Sequence, residues 1–310
     1  MERRAGIDPL ALEPLLVQVL GSRPDSLERV ATGVSTVVCR ATLRDTVFYI
    51  RLAEEEGEDL AVDAAVMNEL RARGVKVPEV IHVETFVPSV SRSLMITAEV
   101  PGAPVSGIGT EATRAVIRDA GRDLAVLNQL PINGFGWVRR DGLRWPPVGE
   151  LASYESFVTS GLPDPWPGRF ADLFDHQTLE VLAATVSRAA TRYLRQPTFA
   201  HGDFDVSHIF CLNDRYTGLI DFGEMRGAEP TFDLGTFLWA NPQAVDDGLL
   251  AALIDGYGSA APVPGDLEDM VRSAVLHGLT LLGRWISPGF RLARPVLPAA
   301  RRVASLLNRL

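Results

Sequence analysis

The sequence predicts an α+β protein of two lobes, the first a small antiparallel sheet with a helix packed on it and the second mostly helical. Two observations indicate this fold class. Short β-branched and aromatic runs separated by turn residues fill about the first third of the 310-residue chain. Longer segments with apolar residues at helical spacing follow them. We place the division after residue 99, so that the predicted domains are 1–99 and 100–310.

The first lobe is expected to contain two helices and five strands. Asp8 and Pro9 are typical of a helix start, Arg44 and Asp45 of a hairpin turn, and Gly74 of a helix end. The predicted helices are 8–20 and 58–73, and the predicted strands are 27–30, 37–42, 47–52, 77–81 and 93–97.

The second lobe is expected to be helical around one small hairpin. The hairpin joins the apolar runs 209–212 and 217–220 through Asn213, Asp214 and Arg215. Residues 131–170, which are rich in Gly, Pro and Trp, are predicted to form loops and short helices. The longer predicted helices are 110–129, 177–193, 248–257 and much of 266–285.

Composition narrows the class of protein. The net charge of −9 argues against a nucleic-acid partner or an anionic membrane surface and is compatible with a cationic ligand. Two cysteines, Cys39 and Cys211, make no disulfide framework and indicate a reducing compartment. The sequence shows neither an apolar run of about 18 residues nor a signal peptide. We therefore expect a soluble cytoplasmic protein, a monomer or a homodimer.

Lys76 is the only lysine of the chain, which excludes two kinds of chemistry. A Walker-type phosphate loop needs Gly-Lys followed by Ser or Thr, whereas Lys76 lies in Gly-Val-Lys-Val-Pro. Schiff-base catalysis needs a desolvated lysine, and Lys76 lies in a turn-like stretch beside Pro78. A GC-rich genome accounts for the bias itself.

The chemical signal lies around the second hairpin. His201, Gly202 and Asp203 are followed by His208 and then by Asp221, which lies within Ile-Asp-Phe-Gly. Protein kinases carry His-Arg-Asp, a metal-binding Asn five residues past the Asp, and a later Asp-Phe-Gly. There the first Asp accepts the proton of the attacking hydroxyl, and the Asn and second Asp flank the metal that neutralises the phosphates.

Residues 201–233 resemble the aminoglycoside phosphotransferase and choline kinase-like family, in which His-Gly-Asp-x4-Asn precedes an Ile-Asp and a further Asp before a helix. Phe-Asp-Leu at 232–234 supplies the last element. The resemblance extends more weakly over most of the chain and implies a bilobal protein-kinase-like fold. It implies transfer of the γ-phosphoryl group of ATP or GTP, with Mg²⁺ or Mn²⁺, to a small-molecule hydroxyl. A cationic aminoglycoside or a macrolide antibiotic is the expected acceptor, and Asp203 is the expected base or orienter.

His208 departs from this family by standing at the Asn position, as in the macrolide phosphotransferases. The resemblance makes His208 and Asp221 the metal ligands. Imidazole suits Mn²⁺ or Zn²⁺ better than Mg²⁺. The alternative is a histidine that only braces the loop.

The phosphate clamp departs from the family as well. Members place a Lys on the third strand and a Glu on the following helix, where this chain has Arg51 and Asp63. A longer cation opposite a shorter carboxylate spans roughly the same distance, although Arg and Lys are not equivalent. The alternatives are a surface arginine at Arg51, or Glu69 as its partner.

The other nucleotide contacts are implied by the resemblance alone. The flap contains Gly33 and Ser35 but no Gly-x-Gly-x-x-Gly, so hydroxyl and backbone N–H groups would bind the phosphates. Ala98 and Val100 lie at the hinge, where backbone groups would hold the base.

The remaining candidates are supporting and acceptor residues. His201 is expected to orient the catalytic loop, and Asp233 to accept backbone hydrogen bonds from it. Loops in 131–170 and helices beyond residue 233 are expected to line the acceptor pocket. Its candidate acids and aromatics, which could also be surface charges or packing residues, are Asp205, Glu224, Glu229, Asp246, Asp247, Asp255, Trp137, Trp145, Trp166 and Trp239.

Two other functions remain open. The substitutions of Lys, Glu and Asn are compatible with a nucleotide-binding pseudoenzyme, although the presence of both Asp203 and Asp221 argues against it. A hydrolytic metal site made of His201, Asp203, His208 and Asp221 has suitable ligand types. It leaves the hairpin lobe and the kinase-like spacing unexplained. Phosphorylation of a metabolite alcohol rather than an antibiotic also remains open.

Overall fold

A computed structural model describes residues 8–30, 37–106, 110–192, 196–287 and 295–310. Its first lobe is built on one antiparallel sheet. The strands are β1 (Ser26–Arg29), β2 (Val38–Leu43), β3 (Thr46–Leu52), β4 (Val80–Val87) and β5 (Arg92–Ala98), in the order β1-β2-β3-β5-β4. The turn predicted at Arg44 and Asp45 joins β2 to β3, with Leu43 paired opposite Thr46.

Two helices accompany this sheet. They are α1 (Glu13–Leu20), which follows a 3-10 turn at Pro9–Leu12 capped by Asp8, and α2 (Ala61–Ala72). Leu12 and Leu16 pack with Ile50 and Leu94 in a core of the first lobe. In contrast, apolar residues of α2 such as Leu70 belong to a larger core that continues into the second lobe. Therefore α2 is fixed relative to the second lobe as well as to the sheet.

The predicted hairpin of the second lobe is present with a tighter turn. Strands β6 (Ala103–Pro104), β10 (Ile209–Leu212) and β11 (Arg215–Leu219) form a sheet in the order β11-β10-β6. Asn213 and Asp214 both have positive φ and make a two-residue turn. Arg215, predicted to lie in the turn, instead begins β11 opposite Leu212.

Lys76 binds the second lobe at this hairpin. Its Nζ donates to the Tyr216 carbonyl at 3.0 Å, and its backbone N–H donates to the Asp123 carboxylate at 2.9 Å. The Tyr216 hydroxyl donates to the same carboxylate at 2.8 Å, and the Lys76 carbonyl accepts the Leu219 N–H at 2.8 Å. The single lysine therefore has a structural role.

The second lobe is mainly helical. Its helices are α3 (Glu111–Leu127), α4 (Tyr154–Ser160), α5 (His176–Ala190), α6 (Phe232–Ala240), α7 (Leu249–Gly258), α8 (Leu267–Ile286) and α9 (Val296–Leu307). Thr110 and Asp175 cap α3 and α5, and Asp266 forms a capping box at the start of α8. The long predicted helices are thus confirmed with ends shifted by up to three residues. Every helix in the described ranges is too short or too polar to span a bilayer.

A third sheet was not predicted. It contains β7 (Phe135–Val138), β8 (Gly149–Leu151), β9 (Thr198–Ala200) and β12 (Arg226–Ala228), in the order β8-β7-β12-β9. The expectation of only loops and short helices in 131–170 was wrong because β7 and β8 lie there. Strands of three or four residues are too short for an alternating pattern to be recognisable. This sheet brings residues 135–140 beside the loops that carry Asp203 and Asp221.

Candidate active site

The catalytic loop runs from the end of β9 to the start of β10. Gly202 has φ +90°, and a Cβ at this position would overlap the Glu224 carbonyl, so the loop requires glycine here. Asp203 follows with its side chain 44% exposed. Burial of the remainder raises the pKa of Asp203, which makes its carboxylate a better proton acceptor.

Asp233 braces this loop, as predicted. It lies in the first turn of α6 and is buried. Its two carboxylate oxygens accept the backbone N–H groups of His201 and Gly202, both at 2.9 Å. The Asn128 amide of α3 donates to the same carboxylate at 3.0 Å. Charge-assisted bonds of this kind fix the backbone immediately before Asp203.

His201 connects the two halves of the site. Its ring is fully buried, and its Nε2 lies 3.0 Å from the Ile220 carbonyl, which can only accept. Nδ1 therefore accepts the Asp203 N–H at 3.3 Å. Burial lowers the pKa of His201, which favours this neutral form. The catalytic loop is thereby tied to the residue that precedes Asp221.

His208 and Asp221 face each other, with Nε2 of His208 3.7 Å from Oδ2 of Asp221. Nδ1 of His208 donates to the Asp203 carbonyl at 2.7 Å, and this bond directs Nε2 toward Asp221. Asp221 adopts a left-handed conformation with φ +63°. Burial alone would lower the pKa of His208, but the Asp203 carbonyl and the surrounding carboxylates raise it overall.

These donors fit a divalent cation. Nε2 of His208 and Oδ2 of Asp221 are close enough to bond one ion, and the second ring nitrogen is fixed by a carbonyl, as is usual for ligating histidines. His208 also brings one ligand atom within 4.8 Å of those of Asp203 and Asp205. Because one donor is an imidazole nitrogen, this set suits Mn²⁺ or Zn²⁺ better than Mg²⁺.

The Arg51–Asp63 pair is present, with Nη1 of Arg51 3.0 Å from Oδ1 of Asp63. Sequence reasoning missed a second cation on the same carboxylate. Arg140, just beyond β7, donates to Asp63 from Nε at 2.8 Å and from Nη2 at 3.1 Å. Burial alone would raise the pKa of Asp63, but Arg140 and Arg51 lower it overall. Glu69, the alternative partner, instead binds Arg73 at 2.7 Å.

Arg51 lies beside the metal-site candidate. A Cβ on Gly223 would lie 3.4 Å from Nη2 of Arg51 and 3.2 Å from Oδ1 of Asp221. The guanidinium and that carboxylate therefore border one small region at Gly223. Arg51 lies on β3, which has a neighbouring strand on each side. Arg51 pairs with Val38 of β2 and with Met95 of β5.

The hinge candidates Ala98 and Val100 lie at the end of β5 and just beyond it. The Ala98 N–H donates to the Glu79 carbonyl at 2.9 Å, so a nucleotide contact at this residue would use its carbonyl. Val100 is buried beside Gly218 of the hairpin. Gly33 and Ser35 lie outside the described residues.

Several residues predicted to contact the acceptor instead bind or pack against other side chains of the protein. Glu229 is buried and accepts the Tyr154 hydroxyl at 2.7 Å, and Asp255 binds Arg118 at 2.7 Å. Glu229 is therefore a poor candidate for a ligand contact, whereas Asp255 remains largely exposed. Trp166 and Trp239 pack edge-on against Phe170 and His277 respectively.

Glu224 and Trp137 remain beside the catalytic loop. The Trp137 Nε1–H donates to Glu224 at 2.8 Å, and the Arg226 guanidinium binds the same carboxylate and lies 5.1 Å from the Trp137 ring centroid. Both Trp137 and Glu224 are about one-third exposed, at 36% and 35%. They could contact a ligand that approaches Asp203.

Comparison with family models matches residues 26–269 to the family APH, described as "Phosphotransferase enzyme family". Comparison with curated protein sequences finds no match. The family match confirms the resemblance seen in the sequence.

Solved structures show the same fold over nearly the whole chain. Aminoglycoside phosphotransferase APH(4)-Ia has a TM-score of 0.69 at 16% identity, covering 97% of this chain and 99% of its own. A putative fructosamine-3-kinase from Thermobifida fusca YX-ER1 has 0.59 at 18%, covering 95% and 98%. The macrolide 2'-phosphotransferase MphH from Brachybacterium faecium has 0.57 at 18%, covering 97% and 98%. The predicted bilobal kinase-like fold is confirmed.

Proposed function

Because the chain belongs to the phosphotransferase enzyme family, we propose that it transfers the γ-phosphoryl group of ATP to a hydroxyl of an aminoglycoside or macrolide antibiotic. GTP is the alternative donor, and a metabolite alcohol is the alternative acceptor. The observation that supports this most is the proximity of four side chains around His208 and Gly223. Asp203 and His208 come from the catalytic loop, Asp221 follows β11, and Arg51 reaches the same region from the first lobe.

Each side chain has a distinct task in this mechanism. Asp203 orients the acceptor hydroxyl and takes its proton as the oxygen attacks the γ-phosphorus and the nucleoside diphosphate leaves. Arg51 binds the phosphates of the donor through nitrogens not used on Asp63. His208 and Asp221 would hold a divalent cation, which would supply charge to neutralise the phosphates. Asp233 and His201 keep Asp203 and Asp221 at a fixed separation.

The choice of donor and acceptor is supported by relatives of the same fold. A thermostable mutant of APH(4)-Ia was crystallised in ternary complexes with ADP or AMP-PNP and hygromycin B. MphH is a macrolide phosphotransferase. We propose Glu224, whose carbonyl lies against Gly202, and its partner Trp137 as contacts of the acceptor.

A phosphoryl-transfer screen tests the proposal. The purified protein is incubated with ATP or GTP labelled at the γ-phosphate and with Mg²⁺ or Mn²⁺, against panels of aminoglycosides, macrolides and metabolite alcohols. Products are identified by mass spectrometry. We expect a metal-dependent phosphate monoester on an acceptor of one antibiotic panel.

Other outcomes favour the other functions. Nucleotide binding without phosphorylation of any acceptor would favour the pseudoenzyme. Phosphorylation confined to metabolite alcohols would replace the antibiotic acceptor and retain the mechanism. Hydrolysis of phosphoesters with Zn²⁺ and no affinity for nucleotide would contradict the proposal in favour of a hydrolytic site.

A further inference from the structure

We infer that Arg140 is a positioning residue of the phosphate clamp, which holds Asp63 so that Arg51 stays available to nucleotide phosphates. This inference rests on the proposed function, because it concerns the same nucleotide site. The sequence predicts only Arg51 and Asp63 for this clamp. Arg140 is a second cation, which comes from the second lobe.

The two arginines bind Asp63 unequally. Arg140 makes a two-point contact, from Nε to Oδ2 at 2.8 Å and from Nη2 to Oδ1 at 3.1 Å. Arg51 makes a single contact, from Nη1 to Oδ1 at 3.0 Å. The Asp63 side chain is fully buried, so both oxygens depend on these partners. The stronger, two-point hold on the carboxylate therefore belongs to Arg140.

Arg140 also holds the turn after Asp221. Its Nη2 donates to the Gly223 carbonyl at 3.0 Å and lies 3.4 Å from the Phe222 carbonyl. Its own carbonyl accepts the N–H of Asp59, just before α2, at 2.6 Å. One side chain thus connects α2 of the first lobe with the backbone beside the metal-site candidate. Because Arg140 bonds both to Asp63 and to the Gly223 carbonyl, it fixes the Arg51–Asp63 pair relative to the metal-site candidate.

Charge explains why two cations are useful here. Asp63 is shared between two guanidinium groups whose side chains are only 10% and 15% exposed, and Glu54 and Glu58 also act on Arg140. Asp63 therefore neutralises the charge of Arg51 only in part, and a partly neutralised cation in a poorly solvated site attracts phosphate strongly. Arg51 is the cation that can bind phosphate, because its Nη2 faces the region shared by Gly223 and Asp221.

Loss of Arg140 would change the state of Arg51. Oδ2 of Asp63 would lose its partner while remaining buried, and an unpaired buried oxygen is costly. The Arg51 guanidinium is the nearest remaining donor on that carboxylate and would turn to bind both oxygens. Arg51 and Asp63 would then form a neutral two-point ion pair, and fewer N–H groups of Arg51 would be directed at phosphate.

The test compares two ligands by isothermal titration calorimetry. Mg·AMP-PNP reports phosphate binding, and adenosine reports base binding alone. For Arg140→Gln we expect Mg·AMP-PNP to bind at least about tenfold more weakly, the size expected for a lost charge-assisted contact, with adenosine unchanged. The matched control is Arg139→Gln, because the Arg139 side chain is exposed and donates to the Glu150 carbonyl at 3.4 Å rather than to Asp63.

A double variant separates positioning from folding. In Asp63→Asn with Arg140→Gln, Arg51 faces no carboxylate at this position, so the site regains its positive charge. We expect the double variant to bind Mg·AMP-PNP more tightly than Arg140→Gln alone. A purely structural role of Arg140 predicts the opposite order. Should Arg140→Gln not fold, Arg140→Lys keeps the charge with a single-point contact, and an intermediate affinity supports the inference.

Two results would overturn the inference while leaving the proposed function intact. One is wild-type affinity for Mg·AMP-PNP in Arg140→Gln or Arg140→Lys. The other is an equal loss of affinity for adenosine and Mg·AMP-PNP. In contrast, a wild-type protein that binds neither these ligands nor Mg·GMP-PNP would contradict the proposed function itself.

Discussion

Nε2 of His208 lies 3.7 Å from Oδ2 of Asp221, because Nδ1 of the same ring is fixed on the Asp203 carbonyl. The histidine therefore stands where the proposed metal site needs a ligand, with Nε2 directed at Asp221. A brace alone would need only the Nδ1 contact.

This arrangement predicts the preferred metal. Imidazole favours Mn²⁺ over Mg²⁺, so we expect the wild type to turn over with Mn²⁺ at least as well as with Mg²⁺. His208→Asn should shift the ratio of the two activities toward Mg²⁺ by about tenfold or more. Steady-state rates over Mg²⁺ and Mn²⁺ titrations measure it, with the exposed His176→Asn as control. An unchanged ratio in His208→Asn would leave this histidine only a bracing role.

Gly202 predicts a second effect, on stability. Alanine at φ +90° is strained by about 1–2 kcal/mol, and its Cβ would also overlap the Glu224 carbonyl. Gly57 has a similar φ of +88° but open space around its Cβ position. We expect Gly202→Ala to lower the free energy of unfolding by about 1–3 kcal/mol more than Gly57→Ala, as measured in urea. Equal losses would mean that the loop can move away from Glu224.

His277 predicts a pH dependence of stability. Burial and the Arg226 charge lower its pKa to about 3, well below the value of about 6.5 in the unfolded chain. The unfolded state therefore binds the proton first as the pH falls, so stability is lost below pH about 6.5. The loss should reach about 2 kcal/mol at pH about 5.

The measurement is urea unfolding at a series of pH values for His277→Gln and His176→Gln. The first variant should flatten the fall in stability below pH about 6.5, because glutamine does not titrate. The second should follow the wild type, because His176 is exposed. The same slope in all three proteins would assign the pH dependence to other groups.

The contacts predicted correctly are those between residues that are close in sequence. Asp203, His208 and Asp221 lie within one hairpin unit, and the structure places His208 between the two carboxylates. The Arg51–Asp63 pair could be predicted for the same reason, because Arg51 lies on β3 and Asp63 on α2, the next helix.

The parts that were missed depend on distant segments. Arg140 lies 77 residues from Asp63, in a stretch whose strands are too short to show a pattern. Nothing about an arginine beside a turn indicates a buried partner. Glu229 was predicted as a candidate acid of the acceptor pocket, but it is buried against Tyr154 of α4, a residue distant in sequence. Such contacts are set by tertiary packing, which a local pattern does not encode.

The role of Asp203 is tested most directly by Asp203→Asn, with turnover and Mg·AMP-PNP binding measured on the same preparation. Asparagine keeps the shape of the side chain but cannot take the hydroxyl proton. We expect phosphoryl transfer to fall by at least about 100-fold while Mg·AMP-PNP still binds. The exposed Asp45→Asn, in the turn between β2 and β3, serves as the matched control and should retain wild-type turnover. Wild-type phosphoryl transfer by Asp203→Asn would contradict the proposed mechanism.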